Sequence, residues 1–117
     1  MPDVYLYTGQ PGTGKTTRAK ALQLELQCPW FDGDVVRQGL SSDLQYTNED
    51  RFESIRRIFE ATKILHNQGF SVVISAVAPI KASRELFSDY FGKDYYEIKL
   101  EKVYEQRPKD YYCKYET

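Results

Sequence analysis

Val4-Tyr5-Leu6-Tyr7-Thr8-Gly9-Gln10-Pro11-Gly12-Thr13-Gly14-Lys15-Thr16 is the stretch that decides the fold. Val4–Tyr7 is a run of strand formers. Thr8-Gly9 ends it, and a glycine-rich loop follows. From Thr16 to Gln27 the apolar residues Ala19, Leu22 and Leu26 recur at helical spacing, with no breaker before Pro29. The order is strand, loop, helix. Gly9 to Thr16 matches G-x-x-x-x-G-K-[ST] at every fixed position. Glycines open backbone angles closed to other residues, so successive N–H groups turn inward as an anion nest. The positive end of the following helix adds to that nest. The expected phosphate ligands are Gly9, Gly12, Thr13, Gly14, Lys15, Thr16 and Thr17. Lys15 is expected to reach the β- and γ-phosphates of ATP, and the Thr16 hydroxyl to hold Mg²⁺.

Trp30-Phe31 reads as the end of a second strand, running into Asp32-Gly33-Asp34. Thr47 to Asp50 has the form of a capping box with Thr47 as N-cap. The helix it opens is expected to bury Ile55, Ile58, Phe59, Thr62 and Leu65, flanked by Ala61 and Ile64, and to stop at Gly69. Ser71–Ser75 is β-branched and nearly continuous in apolar character, the pattern of a central parallel strand. Lys81–Phe91 predicts a helix, Tyr95–Leu100 a fourth strand and Glu101–Arg107 a short helix. Pro108 to Thr117 has no clear period. Strands alternating with helices predict an α/β three-layer sandwich of the P-loop NTPase type. Its sheet is mainly parallel, with about four strands, and residues 1–117 are expected to form a single domain.

The 117 residues carry a net charge of −1, which gives no electrostatic footprint for nucleic acid. Cys28 and Cys113 form no metal-type cluster and read as free thiols in a reducing cytoplasm. No apolar run reaches the ~18 residues of a membrane span, and no leader-like segment opens the chain. A cytoplasmic protein without a membrane partner is the expectation.

Asp32 and Asp34 lie just past a strand end, facing the phosphate loop. No acidic residue ends the Ser71–Ser75 strand. Either aspartate can therefore hold Mg²⁺-bound water or orient an acceptor hydroxyl as a base. His66 reads as a helix-end surface residue with no catalytic role.

From Phe31 onward the chain resembles adenylylsulfate kinases (APS kinases), which phosphorylate the ribose 3′-hydroxyl of adenosine 5′-phosphosulfate. Asp32-Gly33-Asp34, Arg37, Gly39-Leu40 and the run from Asp43 to Arg57 follow that family's pattern, and weaker likeness extends through Pro79 and Arg84. The resemblance implies Asp34 as the base, which leaves Asp32 as the candidate beside the metal. Arg37 and Arg51, with Arg56 as a further candidate, suit the phosphosulfate through bidentate guanidinium contacts. Tyr46 stands where the family stacks a phenylalanine on the acceptor's adenine, and Arg84 matches an arginine that helps position substrate.

Several positions depart from the pattern. Gln10-Pro11 replaces Leu-Ser in the loop, a swap expected to be harmless to phosphate binding. Ser54 replaces an asparagine that contacts the acceptor, and Ala78 and Ile80 replace a serine and a tyrosine. Arg107 to Tyr112 reads as a shortened lid, in which Arg107 and Lys109 neutralise charge on the transferring phosphoryl group. A second subunit of a homodimer is one way to recover the missing wall. The rival readings are a kinase for another hydroxyl acceptor (a sugar, an antibiotic or a polynucleotide 5′-end) and a nucleotide-binding module without kinase activity.

Overall fold

The computed structural model describes every residue except Met1, Gln106, Lys109 and Asp110. Strands β1 (Val4–Thr8), β2 (Trp30–Asp32), β3 (Val72–Ser75) and β4 (Tyr95–Lys99) form a four-stranded sheet in the order β2-β3-β1-β4. All three pairings are parallel. The helices are α1 (Lys15–Leu26), α2 (Gly33–Gln38), α3 (Asn48–Asn67) and α4 (Lys81–Phe91), with a 3₁₀ turn at Gly92–Asp94.

Alternation along β1 builds the three layers. Val4 and Leu6 join Val72 and Ile74 of β3 against Ile55, Ile58 and Phe59 of α3 and Phe87 and Phe91 of α4. Tyr5 and Tyr7 turn the other way, with Val73, toward Ala19 and Leu22 of α1. β3 is buried along its whole length, as a strand covered on both faces must be. The chain leaves β1 for α1 on one face and leaves β3 for α4 on the other. The two neighbours therefore part at their carboxyl ends, which is where a parallel sheet opens a ligand crevice.

α3 begins as expected, with the Thr47 hydroxyl accepting from the Asp50 N–H at 3.1 Å. The reciprocal half of the box differs. The Asp50 carboxylate accepts from the Gln45 N–H at 2.7 Å and so ties down the loop before the helix. Ile55, Ile58, Phe59 and Thr62 are buried as their spacing predicts, and Ser54 joins them. α4 has the predicted bounds.

One reading changes, and two segments take a form the sequence did not assign. Gly33–Gln38 is a short helix directly after β2. No helix forms at Glu101–Glu105, and Gln106 lies outside the described residues. The Tyr104 and Glu105 N–H groups instead donate to the Gly12 carbonyl, at 2.7 and 3.3 Å. A tertiary acceptor thus competes with the local helical one. Finally, the tail without a period is anchored. Gln10 exchanges two hydrogen bonds with the Cys113 backbone, at 2.5 and 3.2 Å. Tyr115 reaches the Thr8 hydroxyl at 3.1 Å, and the Glu116 carboxylate caps α4 at the Lys81 N–H at 2.8 Å. Gln10, a departure from the family's loop, is thus one of the residues that tie the tail to the phosphate loop.

Candidate active site

The loop between β1 and α1 turns on glycines at positive φ, +83° at Gly12 and +85° at Gly14. A Cβ on Gly12 would meet the Glu105 carbonyl oxygen at 2.5 Å, so only glycine fits there. Gly14 is the N-cap of α1, whose first turn carries no acidic residue. Its positive end is left uncompensated for an anion. Lys15 Nζ donates to the Gln10 carbonyl at 2.9 Å. Burial lowers its pKa, and Arg107 pushes the same way against Asp34 and Asp32. A bound phosphate would reverse that penalty, because an adjacent anion favours the charged ammonium.

The loop faces a cleft of about 590 Å³, within the usual size for a small-molecule site. Gly12, Gly14, Lys15, Thr16 and Thr17 line it, together with Asp32, Asp34, Arg37, Tyr46, Arg51 and Ser54. Gly9 and Thr13 are not on its wall. The Thr13 side chain is buried, and its hydroxyl donates to the Gln10 carbonyl at 2.8 Å.

Parallel register sets Asp32 beside Ser75, the last residue of β3. Ser75 Oγ donates to Asp32 Oδ1 at 2.6 Å, and Thr16 Oγ1 donates to the same oxygen at 3.1 Å. Trp30 Nε1 in turn holds Ser75 Oγ at 2.9 Å. The strand end that lacks an acid thus supplies a hydroxyl that orients the acid of its neighbour, and Ser75 is a site residue the sequence reading missed. Asp34 stands differently. It is exposed in the first turn of α2, and among the described residues nothing hydrogen-bonds its carboxylate.

The wall opposite is cationic and aromatic. Arg37 donates to the Gln45 carbonyl at 2.6 Å, and its guanidinium lies 4.4 Å from the Tyr46 ring centroid. Arg51 donates to the Tyr46 carbonyl at 2.9 Å and lies 5.4 Å from that ring. Tyr46 is 66% exposed, and both guanidinium groups lie within cation–π distance of its ring.

Two other arginines are placed elsewhere. Arg56 pairs with Glu53 at 2.6 Å and does not line the cleft. Arg84, 5% exposed, is a structural clip. It donates to the Ala78 carbonyl at 3.0 Å, to Glu97 at 3.3 Å and to the Glu116 carbonyl. It thereby supports Ala78, which takes a φ of +45° in the cleft wall, a conformation unfavourable to a residue with a side chain. The nearby wall holds Arg107 and Tyr111, both from the segment read as a shortened lid, and Glu105, which the sequence reading did not single out. Lys109 lies outside the described residues. His66 packs on Phe91 and lies 3.6 Å from Asp94, with no part in the cleft.

Arg57 clamps the loop before α3, pairing with Asp43 at 2.7 Å and Glu53 at 2.9 Å. Hydrogen bonds from Arg56 and Arg57 hold the Glu53 carboxyl down at about 2, against an ordinary 4.5. A carboxylate whose pKa is depressed on folding stabilises the fold above its unfolded pKa and loses that contribution as pH falls through the folded one. The loss is therefore expected between about pH 4.5 and pH 2. The pair is partly exposed, so its effect is modest. Thermal melts across that window should show the wild type losing a few degrees more than Glu53→Gln. Parallel curves for the two would show that the clamp contributes nothing.

The sheet order, the glycine loop and the Thr16–Asp32 pair define a protein of the P-loop α/β class. A model of the adenylylsulphate kinase family matches residues 1–116, and the chain belongs to that family. Adenylyl-sulfate kinase of Clostridium kluyveri is 37% identical over 92% of this chain and 59% of that protein. The Pseudomonas aeruginosa one is 39% identical over 81% and 51%. The chain thus spans less than two thirds of these curated relatives. Among solved structures, the Mycobacterium tuberculosis APS kinase CysC in complex with AMPPNP and APS superposes with a TM-score of 0.75 at 28% identity, covering 84% of this chain and 61% of that one. A gluconokinase from Sinorhizobium meliloti, at 19% identity and a TM-score of 0.65, shares the fold alone.

Proposed function

We propose that this chain, acting as one domain over residues 1–117, transfers the γ-phosphate of ATP to the 3′-hydroxyl of adenosine 5′-phosphosulfate. The observation that carries the reading is the free Asp34 carboxylate, which shares one cleft with Lys15 and the Arg37–Tyr46–Arg51 wall. ATP phosphates rest on the Gly12–Thr17 backbone, with Lys15 against the γ-phosphate. Thr16 and Asp32 offer the hard oxygen ligands that Mg²⁺ takes alongside substrate phosphates. The ion, when bound, offsets charge on the β- and γ-phosphate oxygens. Asp34 accepts the proton of the attacking hydroxyl. Arg37 and Arg51 hold the acceptor's anionic end, Tyr46 stacks its base and Ser54 lines the pocket beneath. Arg107 adds charge beside the transferring group. A cytoplasmic setting and a homodimer that completes the cleft wall fit this chemistry. Among the described residues no helix is long and apolar enough to cross a membrane.

The test is an acceptor panel with ATP labelled at the γ-phosphate. Adenosine phosphosulfate should stimulate transfer, and Asp34→Asn should lower kcat by about 10²–10⁴-fold, the usual contribution of a positioned base. Transfer to another hydroxyl compound, with none to adenosine phosphosulfate, would overturn the acceptor. That second reading draws support from Ser54 and Ala78, two departures from the family pattern that line the cleft.

A further inference from the structure

We infer that Tyr104 is the stacking wall for the nucleobase of the bound triphosphate, an assignment that rests on the function proposed above. The acceptor groups lie at one end of the phosphate loop: Asp34, Arg37, Tyr46 and Arg51 all line the main cleft. The γ-phosphate points toward them, so the α-phosphate and the nucleoside leave at the opposite end, along the first turn of α1. At that end lies a second, shallow cleft of about 200 Å³, lined by Thr13, Arg18, Lys99, Glu101, Lys102 and Tyr104, in which Lys99 pairs with Glu101 at 3.5 Å.

Tyr104 is 63% exposed, yet it is not loosely placed. Its N–H donates to the Gly12 carbonyl at 2.7 Å, which fixes its backbone to the loop itself. Its ring runs beside the start of α1, where a methyl group on Gly14 would come within 3.8 Å of it. Lys102 Nζ is 5.2 Å from the ring centroid. An exposed aromatic ring flanked by Arg18 and Lys102, and held by main-chain bonds that do not involve the ring, is a platform for a planar base next to a polyphosphate. Such stacking tolerates any base, because every base has a π-face.

The experiment compares dissociation constants of ATP and of inorganic tripolyphosphate, with Mg²⁺ present, for wild type, Tyr104→Ala and Tyr104→Trp. Tyr104→Ala should bind ATP about tenfold more weakly, as loss of one base-stacking ring does. Its tripolyphosphate binding should be unchanged, and Tyr104→Trp should restore ATP affinity. Equal losses for both ligands would make Tyr104 a support of the phosphate loop and overturn the inference. So would unchanged ATP binding in Tyr104→Ala. A wild type that binds neither ligand would overturn the nucleotide reading itself, a result distinct from the other two.

Discussion

Lys15→Ala should lower kcat by about 10²–10³-fold, the loss seen when one fixed donor to a developing oxyanion is removed. Lys15 is the cation set within the loop, and its ammonium is held by the Gln10 carbonyl at 2.9 Å. Burial works against its charge. In the proposed reaction a γ-phosphate would meet a partly buried cation, which water screens less than one on the open surface. Stability should move the other way. Removing a group whose charged form is penalised by burial leaves the melting temperature unchanged or slightly raised. Lys15→Arg should not rescue turnover, since a planar fork cannot replace a compact point charge inside the loop. Steady-state transfer from labelled ATP and a thermal melt together decide the matter. Activity within tenfold of wild type would remove the loop from the transfer site.

Phe87→Ala should cost about 3–5 kcal/mol, as large-to-small changes at fully buried aromatics do. That is a large part of the ~5–15 kcal/mol that holds a domain together. Phe87 is fully buried in α4. It meets Phe59 of α3 edge-on, with centroids 5.3 Å apart, and stacks on Tyr95 of β4 at 5.6 Å. One ring thus joins two helices to the edge strand. The cavity would let α4 shift, and α4 carries Arg84, which supports the Ala78 turn in the cleft wall. The urea midpoint should fall sharply in Phe87→Ala and recover in large part in Phe87→Leu. A loss below about 1 kcal/mol would mean that the aromatic cluster is not the core of this layer.

The phosphate loop was legible because everything it needs is contiguous. Strand, glycines, lysine and helix lie within residues 4–26, and each acts on its near neighbours. α4 was legible for the same reason, its apolar period running unbroken to Phe91. The cleft was legible to the extent that Asp32, Asp34, Arg37 and Arg51 follow a family pattern and that Tyr46 and Ser54 stand at positions the pattern marks, and all six line it. Ser75 was not, because its role comes from a partner 43 residues away, brought beside it by the β2–β3 register. Arg56 and Arg84 look alike in sequence to the arginines of the cleft. Their placement depends on Glu53 in one case and on Ala78, Glu97 and Glu116 in the other.

The Val4–Thr16 segment determined by itself that the chain carries a nest for phosphate, since backbone angles and a helix end are local properties. Tertiary structure decided the rest of the site. It set which strand ends meet, which acid is held and which is free, and which carbonyl takes the N–H groups of Tyr104 and Glu105 away from a helix. The physical reason is that hydrogen-bond donors and buried charges choose the best partner in space, and that choice exists only once the sheet has closed the distance.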